Sequence, residues 1–222
     1  MDDKCDNKSK PVGPTGSFFV RKALVVGLTG GVATGKTTVA GMFQDLGARV
    51  ISADEVVHRM LERGSDLWRQ VRQEFGEEVL TSDGNIDRVR LGDLVFRDKG
   101  KRTTLEAIIH PPVIEYLQRE AECFRESAQG VLILEIPLLI EVGALHLVDK
   151  VLVVTAEQES QISRLEKRYG IGREEAILRI SSQLPLAEKV RHADWVVSTE
   201  GTLDSTKKQV ERVWYEAQKL LA

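Results

Sequence analysis

Between Leu24 and Thr38 the chain reads LVVGLTGGVATGKTT. Gly30, four residues, then Gly35, Lys36 and Thr37 satisfy the spacing G-x-x-x-x-G-K-[ST], and the apolar run ahead of them reads as a buried strand. Glycines at 30, 31 and 35 allow successive backbone N–H groups to crowd around an anion, at the N-terminus of the helix that TTVAGMFQDL predicts. Lys36 supplies a point charge for the β- and γ-phosphates of a nucleoside triphosphate, and the Thr37 hydroxyl can ligate a bridging Mg²⁺. The expected phosphate-binding stretch is therefore Gly30, Gly31, Val32, Ala33, Thr34, Gly35, Lys36, Thr37 and Thr38. A glycine turn that merely caps a helix is the competing reading, and a strand before the loop with a helix after it argues against that.

Other groups could complete such a site. Asp54 follows the short strand predicted over Arg49–Ser52, at the carboxyl edge where α/β sheets bind ligands. There it is either an N-cap for a helix over Glu55–Leu61 or a carboxylate aimed at the phosphates. Glu135 ends the apolar run VLILE, where a ligand to Mg²⁺ or its water is expected, although a structural ion pair would use the same position. Arg164 and Arg168 are four apart, so they share a face of the helix predicted over Gln158–Tyr169, either a solvated face or part of a lid. His110 stands before Pro111 and Pro112 and is left unassigned by its neighbours alone.

The elements that must carry these groups alternate. A strand, a helix over Thr38–Leu46 and the second strand begin a parallel α/β sheet, which further strands from Val131, over Val151–Thr155 and over Trp195–Ser198 extend. Between them, 64–127 is helical: Leu67–Phe75, Arg88–Phe96, Arg102–Ile109 and Pro112–Phe124, the two prolines ending one helix and opening the next. A short helix over Glu174–Ser182 and a closing helix over Leu203–Leu221 follow. The expected architecture is an α/β domain over 22–222, with a parallel sheet flanked by helices, an inserted helical subdomain at about 64–127 and a helical lid at about 157–183. Residues 1–21, polar with Pro and Gly, read as a disordered extension.

A net charge of −3 gives no electrostatic case for a nucleic-acid partner, and no apolar run approaches the ~18 residues that span a bilayer. Cys5 and Cys123 form no disulfide framework, and His58, His110, His146 and His192 lack ligand spacing. A cytoplasmic, monomeric protein with no nucleic-acid or membrane partner is expected. A GTP switch would need N-K-x-D, and Asn7 and Asn85, the only asparagines, are not in that setting.

Several separated segments then match one family in order: GLTGGVATGKTTVA, LGARVISADEVVH, DGNIDRVRLGDLVF, IIHPPV, EIPLLIEVG, VDKVLVV, QISRL, RISSQ and EKVRHADWVV. Over about residues 24–215 the chain resembles the dephospho-coenzyme A kinases, and the H-P-x-V and I-P-L-L-x-E pair is far more discriminating than the phosphate loop. The resemblance implies a P-loop kinase that uses ATP and Mg²⁺ to phosphorylate the ribose 3′-hydroxyl of dephospho-coenzyme A. It implies Asp54 as the base for that hydroxyl, Lys36 and Arg164 as catalytic cations, and Arg168 as a nucleotide contact. It further implies His58, His110, Pro137, Leu138 and Leu139 in the acceptor pocket, and Thr37 with Glu135 at the metal. Ser52 and Glu135 stand where many members carry aspartate, and Thr199 where asparagine is usual. The alternatives are another small P-loop kinase acting on a nucleoside or nucleotide, or a non-enzymatic ATP-binding regulator.

Overall fold

The computed structural model describes residues 22–222, and the predicted extension at 1–21 lies outside the described residues. Strand β1, Ala23–Gly30, has all eight residues buried, so ALVVGLTG is a near-continuous apolar run with only Thr29 polar, rather than alternating. Helix α1 (Lys36–Asp45), β2 (Arg49–Ser52) and α2 (Ala53–Met60) follow, then α3 (Asp66–Phe75), α4 (Arg88–Arg97) and α5 (Lys99–Ser127). The chain continues through β3 (Gly130–Glu135), β4 (Lys150–Thr155), α6 (Gln158–Tyr169), α7 (Arg173–Ser181), α8 (Leu186–Val190), β5 (Trp195–Ser198) and α9 (Leu203–Lys219).

All strand pairs are parallel, in the order β2-β3-β1-β4-β5. In β3, Leu132 and Leu134 face one core while Val131 and Ile133 face the other. The first core is covered by α2 and the second half of α5 through Val56, Val113, Leu117, Ala121 and Phe124. The second is covered by α1 and α9 through Val39, Phe43, Val210 and Val213. Each fully buried aliphatic or aromatic side chain contributes ~1.5–3 kcal/mol. Register brings Glu135 opposite both Leu28 and Ser52, so the carboxyl ends of β1, β2 and β3 meet beside the phosphate loop.

Helices α3, α4 and the first half of α5 surround a third core of Leu67, Trp68, Val71, Phe75 and Leu91. Their starts are capped: Ser65 Oγ accepts from the Trp68 N–H, Asp87 from Val89 and Arg90, and Asp98 from Gly100 and Lys101. Each cap is worth ~1 kcal/mol. Helices α6 and α7 bury Ile162, Leu165 and Ala176 against Val32 and Ala33 of the phosphate loop.

The predicted break at His110 does not occur. Helix α5 runs 29 residues with Pro111 and Pro112 inside it. Each proline removes a backbone donor, a loss that costs a helix ~3 kcal/mol or more. Two separate cores hold the helix together across that defect: Leu105, Ile108 and Ile109 pack on the helical core, and Val113, Leu117 and Phe124 on the sheet. Short α8 has no counterpart in the sequence pattern, since LAEKV carries no helical stripe of sufficient length.

Candidate active site

The loop joining β1 to α1 is a tight turn with positive φ at Gly30 (153°), Ala33 (56°) and Gly35 (89°). A Cβ at Gly30 would lie 2.3 Å from the Val154 carbonyl oxygen, so only glycine fits there. Thr34 is fully buried, and its hydroxyl donates to the Gly31 carbonyl at 2.9 Å, bracing the turn from inside. Thr199 Oγ1 donates to the Thr34 carbonyl at 2.8 Å and accepts from Arg164 Nη1 at 2.9 Å. Arg164 also donates to the carbonyls of Ala33 at 3.1 Å and Thr199 at 2.9 Å. The predicted lid arginine thus grips the loop backbone, and Thr199 links it to the sheet edge.

Lys36 curls onto its own loop, donating to the Gly31 carbonyl at 2.7 Å and Gly30 at 3.4 Å. Burial, then the nearby Lys189 ammonium, lowers its pKa to about 8, with Glu135, Asp54 and Glu141 opposing. Thr37 Oγ1 donates to Glu135 Oε1 at 3.0 Å. Glu135 is 5% exposed, and burial pushes its carboxyl above the usual range despite hydrogen bonds from Thr37 and Ser52 and the charge of Lys36. Among the described residues no three His, Cys, Asp or Glu side chains cluster as a metal cage. A hydroxyl and a carboxylate beside a phosphate loop nonetheless suit Mg²⁺, which takes few protein oxygens and completes its shell with phosphate and water.

Asp54 is not an N-cap. Ser52 occupies the cap position of α2, and Asp54 lies in the helix's first turn with its side chain exposed. It borders a cavity of about 540 Å³. One part of its wall is formed by Val32, Ala33, Gly35, Lys36, Thr37 and Thr38, and another by Asp54, Ile109, His110, Val113, Pro137 and Leu138. Arg168 and Tyr169 also line it, the guanidinium 5.3 Å above the tyrosine ring.

Two expected acceptor residues lie elsewhere. His58 is exposed on α2, one turn beyond Asp54, and is not in the cavity wall. Leu139 is fully buried in the sheet core, where it would meet a Cβ at Gly27 at 2.7 Å. Gly30, Gly31 and Thr34 shape the loop from behind the wall, as Arg164 does.

Lys189 is a buried cation that the sequence alone does not single out. It has no exposed surface, donates to the Pro137 carbonyl at 2.8 Å and reaches Gly30 O at 3.5 Å, and pairs with Glu141 at 2.8 Å. Thr29 Oγ1 holds the same Pro137 carbonyl at 3.0 Å. A buried ammonium needs such partners, and these tie the phosphate loop to the Pro137 turn. Its only signal in the sequence was its place in the segment EKVRHADWVV.

A family model described as dephospho-CoA kinase matches residues 24–205. A dephospho-CoA kinase of Bacillus cereus is 44% identical over 188 residues, covering 85% of this chain and 94% of that protein. Among solved structures, a Thermus thermophilus protein has a TM-score of 0.72 at 32% identity, covering 87% of this chain and 97% of its own. The dephospho-CoA kinase from Campylobacter jejuni has a TM-score of 0.61 at 25% identity, covering 88% and 98%.

Proposed function

The chain belongs to the dephospho-CoA kinase family, and from that premise we propose how its residues carry ATP-dependent phosphorylation of the ribose 3′-hydroxyl of dephospho-CoA. The observation that carries the assignment is the cavity lined both by the phosphate loop and by Asp54, His110, Pro137 and Leu138. Donor and acceptor bound together in that cavity are held for in-line transfer, and holding two reactants in that geometry is itself a large share of catalysis.

ATP lies along Gly30–Thr38, its phosphates met by backbone N–H groups and by Lys36 once that ammonium leaves the Gly30 and Gly31 carbonyls. Thr37 and Glu135 would hold Mg²⁺, which supplies charge neutralisation at the β- and γ-phosphates when bound. Asp54 accepts the proton of the attacking hydroxyl, assistance worth typically ~10²- to 10⁴-fold. Arg164 fixes the loop and brings positive charge to it, and Arg168 faces the cavity from the same helix.

In this reading residues 157–183 act as the lid, and 64–127 with the Pro137–Leu138 turn receive the acceptor. His110, Pro137 and Leu138 are direct contacts, whereas His58 and Leu139 act only through the elements they belong to. The enzyme is read as a cytoplasmic monomer acting on small molecules, and its net charge of −3 exerts no general pull on polyanions.

The test is ATP consumption and product formation with dephospho-CoA beside a panel of nucleosides and nucleotides. Transfer to dephospho-CoA is expected; transfer to a nucleoside or nucleotide alone would replace this acceptor. Asp54→Asn should lower turnover by ~10²- to 10⁴-fold while ATP binding stays intact, and near-normal turnover would remove Asp54 from the base role.

A further inference from the structure

We infer that Gln183 is a specificity residue for the acceptor: its side-chain carbonyl accepts a hydrogen bond from an N–H or O–H group of bound dephospho-CoA. This rests on the acceptor assignment above and extends it to Gln183, which ends the segment RISSQ and has no role assigned so far.

Gln183 Oε1 is the one buried side-chain nitrogen or oxygen among the described residues that has no hydrogen-bond partner. Leaving such an oxygen dry costs free energy, and native proteins retain the arrangement where a ligand or catalytic need compensates for it. The residue also lines the cavity between the phosphate loop and the acceptor wall. An orphan acceptor on a residue that lines the cavity is a group a ligand's donor can satisfy.

Its mounting connects it to the acceptor side. The Gln183 N–H donates to Ile180 O at 3.4 Å at the end of the lid. The next N–H, of Leu184, donates to Glu141 Oε1 at 3.1 Å, and Glu141 pairs with buried Lys189, which holds the Pro137 carbonyl. The backbone that carries Gln183 is therefore tied to the same turn that carries Pro137 and Leu138 into the cavity wall. A buried carbonyl on an anchored backbone discriminates well, because a substrate without the matching donor leaves it unpaired.

The chemistry also selects the partner. An amide carbonyl repels phosphate oxygens, so the triphosphate of ATP offers it nothing. Dephospho-CoA offers neutral donors away from its phosphates: the exocyclic amine of its base, its hydroxyls and the amide N–H groups of its pantetheine arm. The adenine amine of ATP is the competing source, and the kinetics separate the two.

The test uses the full-length enzyme carrying Gln183→Met, close in shape but without the amide, and Gln183→Leu as a second variant. Steady-state kinetics give separate KM values for ATP and dephospho-CoA, and thermal melting is followed without ligand. The inference expects the dephospho-CoA KM to rise about tenfold with the ATP KM within about twofold of wild type. It also expects the melting temperature to hold or rise, because the variants delete an unpaired buried oxygen. A lower melting temperature with an unchanged dephospho-CoA KM would make Gln183 a structural residue and overturn the inference. So would a rise confined to ATP, or an equal rise for both substrates. Failure of the wild-type enzyme to phosphorylate dephospho-CoA would instead strike the acceptor assignment itself.

Discussion

The two walls of the cavity are built on opposite plans. The donor wall takes six residues from one loop, Val32, Ala33, Gly35, Lys36, Thr37 and Thr38, and that loop is drawn tight by glycines at special φ and by Thr34, Thr199 and Arg164 holding loop carbonyls. The acceptor wall gathers Asp54 from α2, Ile109 and His110 from α5, the Pro137 turn and Gln183 beyond α7, and its contacts are mostly side chains. Binding a polyphosphate needs many identical donors at close range, which one loop can provide. Recognising one particular alcohol needs unlike groups at set distances, which only several elements can supply.

The largest expected effect falls on the donor wall. Lys36→Met should cut turnover by ~10²- to 10³-fold or more, the scale seen when one preorganised group facing developing charge is removed. Its folded stability should not fall, because burial already disfavours the ammonium that the variant deletes. Rapid-quench kinetics and thermal melting check the two signs. A stability loss as large as the activity loss would mean that Lys36 holds the loop rather than serving the phosphates.

Next in size is the tie between the walls. Lys189→Met leaves Glu141 without its buried partner and the Pro137 carbonyl with Thr29 alone. Denaturant melts should show a loss of ~2–4 kcal/mol, moderated because Glu141 keeps some contact with water. KM should rise for ATP and acceptor together, since the ammonium lies near Gly30 O as well as Pro137 O. A change in one KM only would show the walls to be independent. Lys189→Met with Glu141→Gln should recover part of the stability, as removing both charges of a buried pair costs less than removing one.

A smaller effect is read through pH. With the Lys36 pKa at about 8 in the free enzyme, kcat/KM for ATP should decline above that pH as the ammonium is lost. The kcat profile should extend to higher pH, because bound phosphate favours the charged form. The stability sign is opposite: between about 8 and 10.5 the unfolded chain holds a proton that the native chain has released, so stability rises with pH across that window. Urea melts across the same range check it, and in Lys36→Met this contribution should vanish.

The same contrast explains what could be read beforehand. Residues 24–38 were legible because loop, strand and helix are contiguous and each position has one physical reason. The five strands were legible because buried parallel strands are continuous apolar runs. Asp54 could be placed at the sheet edge, but its position inside the first turn, with Ser52 as the cap, depends on where α2 starts. The unbroken α5 was hidden because its integrity comes from two cores that the local signal of Pro111 and Pro112 does not contain. Lys189 and Gln183 look like surface residues in polar segments, and only the packing of α8 and the lid's end against the Pro137 turn makes them otherwise.

The smallest expected effect tests whether the acceptor wall depends on that proline-bearing helix. Pro111 is exposed, so Pro111→Ala removes little packing and restores an N–H that can bond the Ala107 carbonyl. The gain in the native helix is offset in part by the greater freedom of the unfolded chain, leaving about 1 kcal/mol of stabilisation. The regularised turn would rotate Ile109 and His110, which line the wall just before it. The dephospho-CoA KM should therefore rise a few-fold with the ATP KM unchanged, a split that steady-state kinetics resolve. If the variant is stabilised and both KM values stay put, the two prolines shape the helix without shaping the site, and the acceptor wall rests on the Pro137 turn and Gln183 instead.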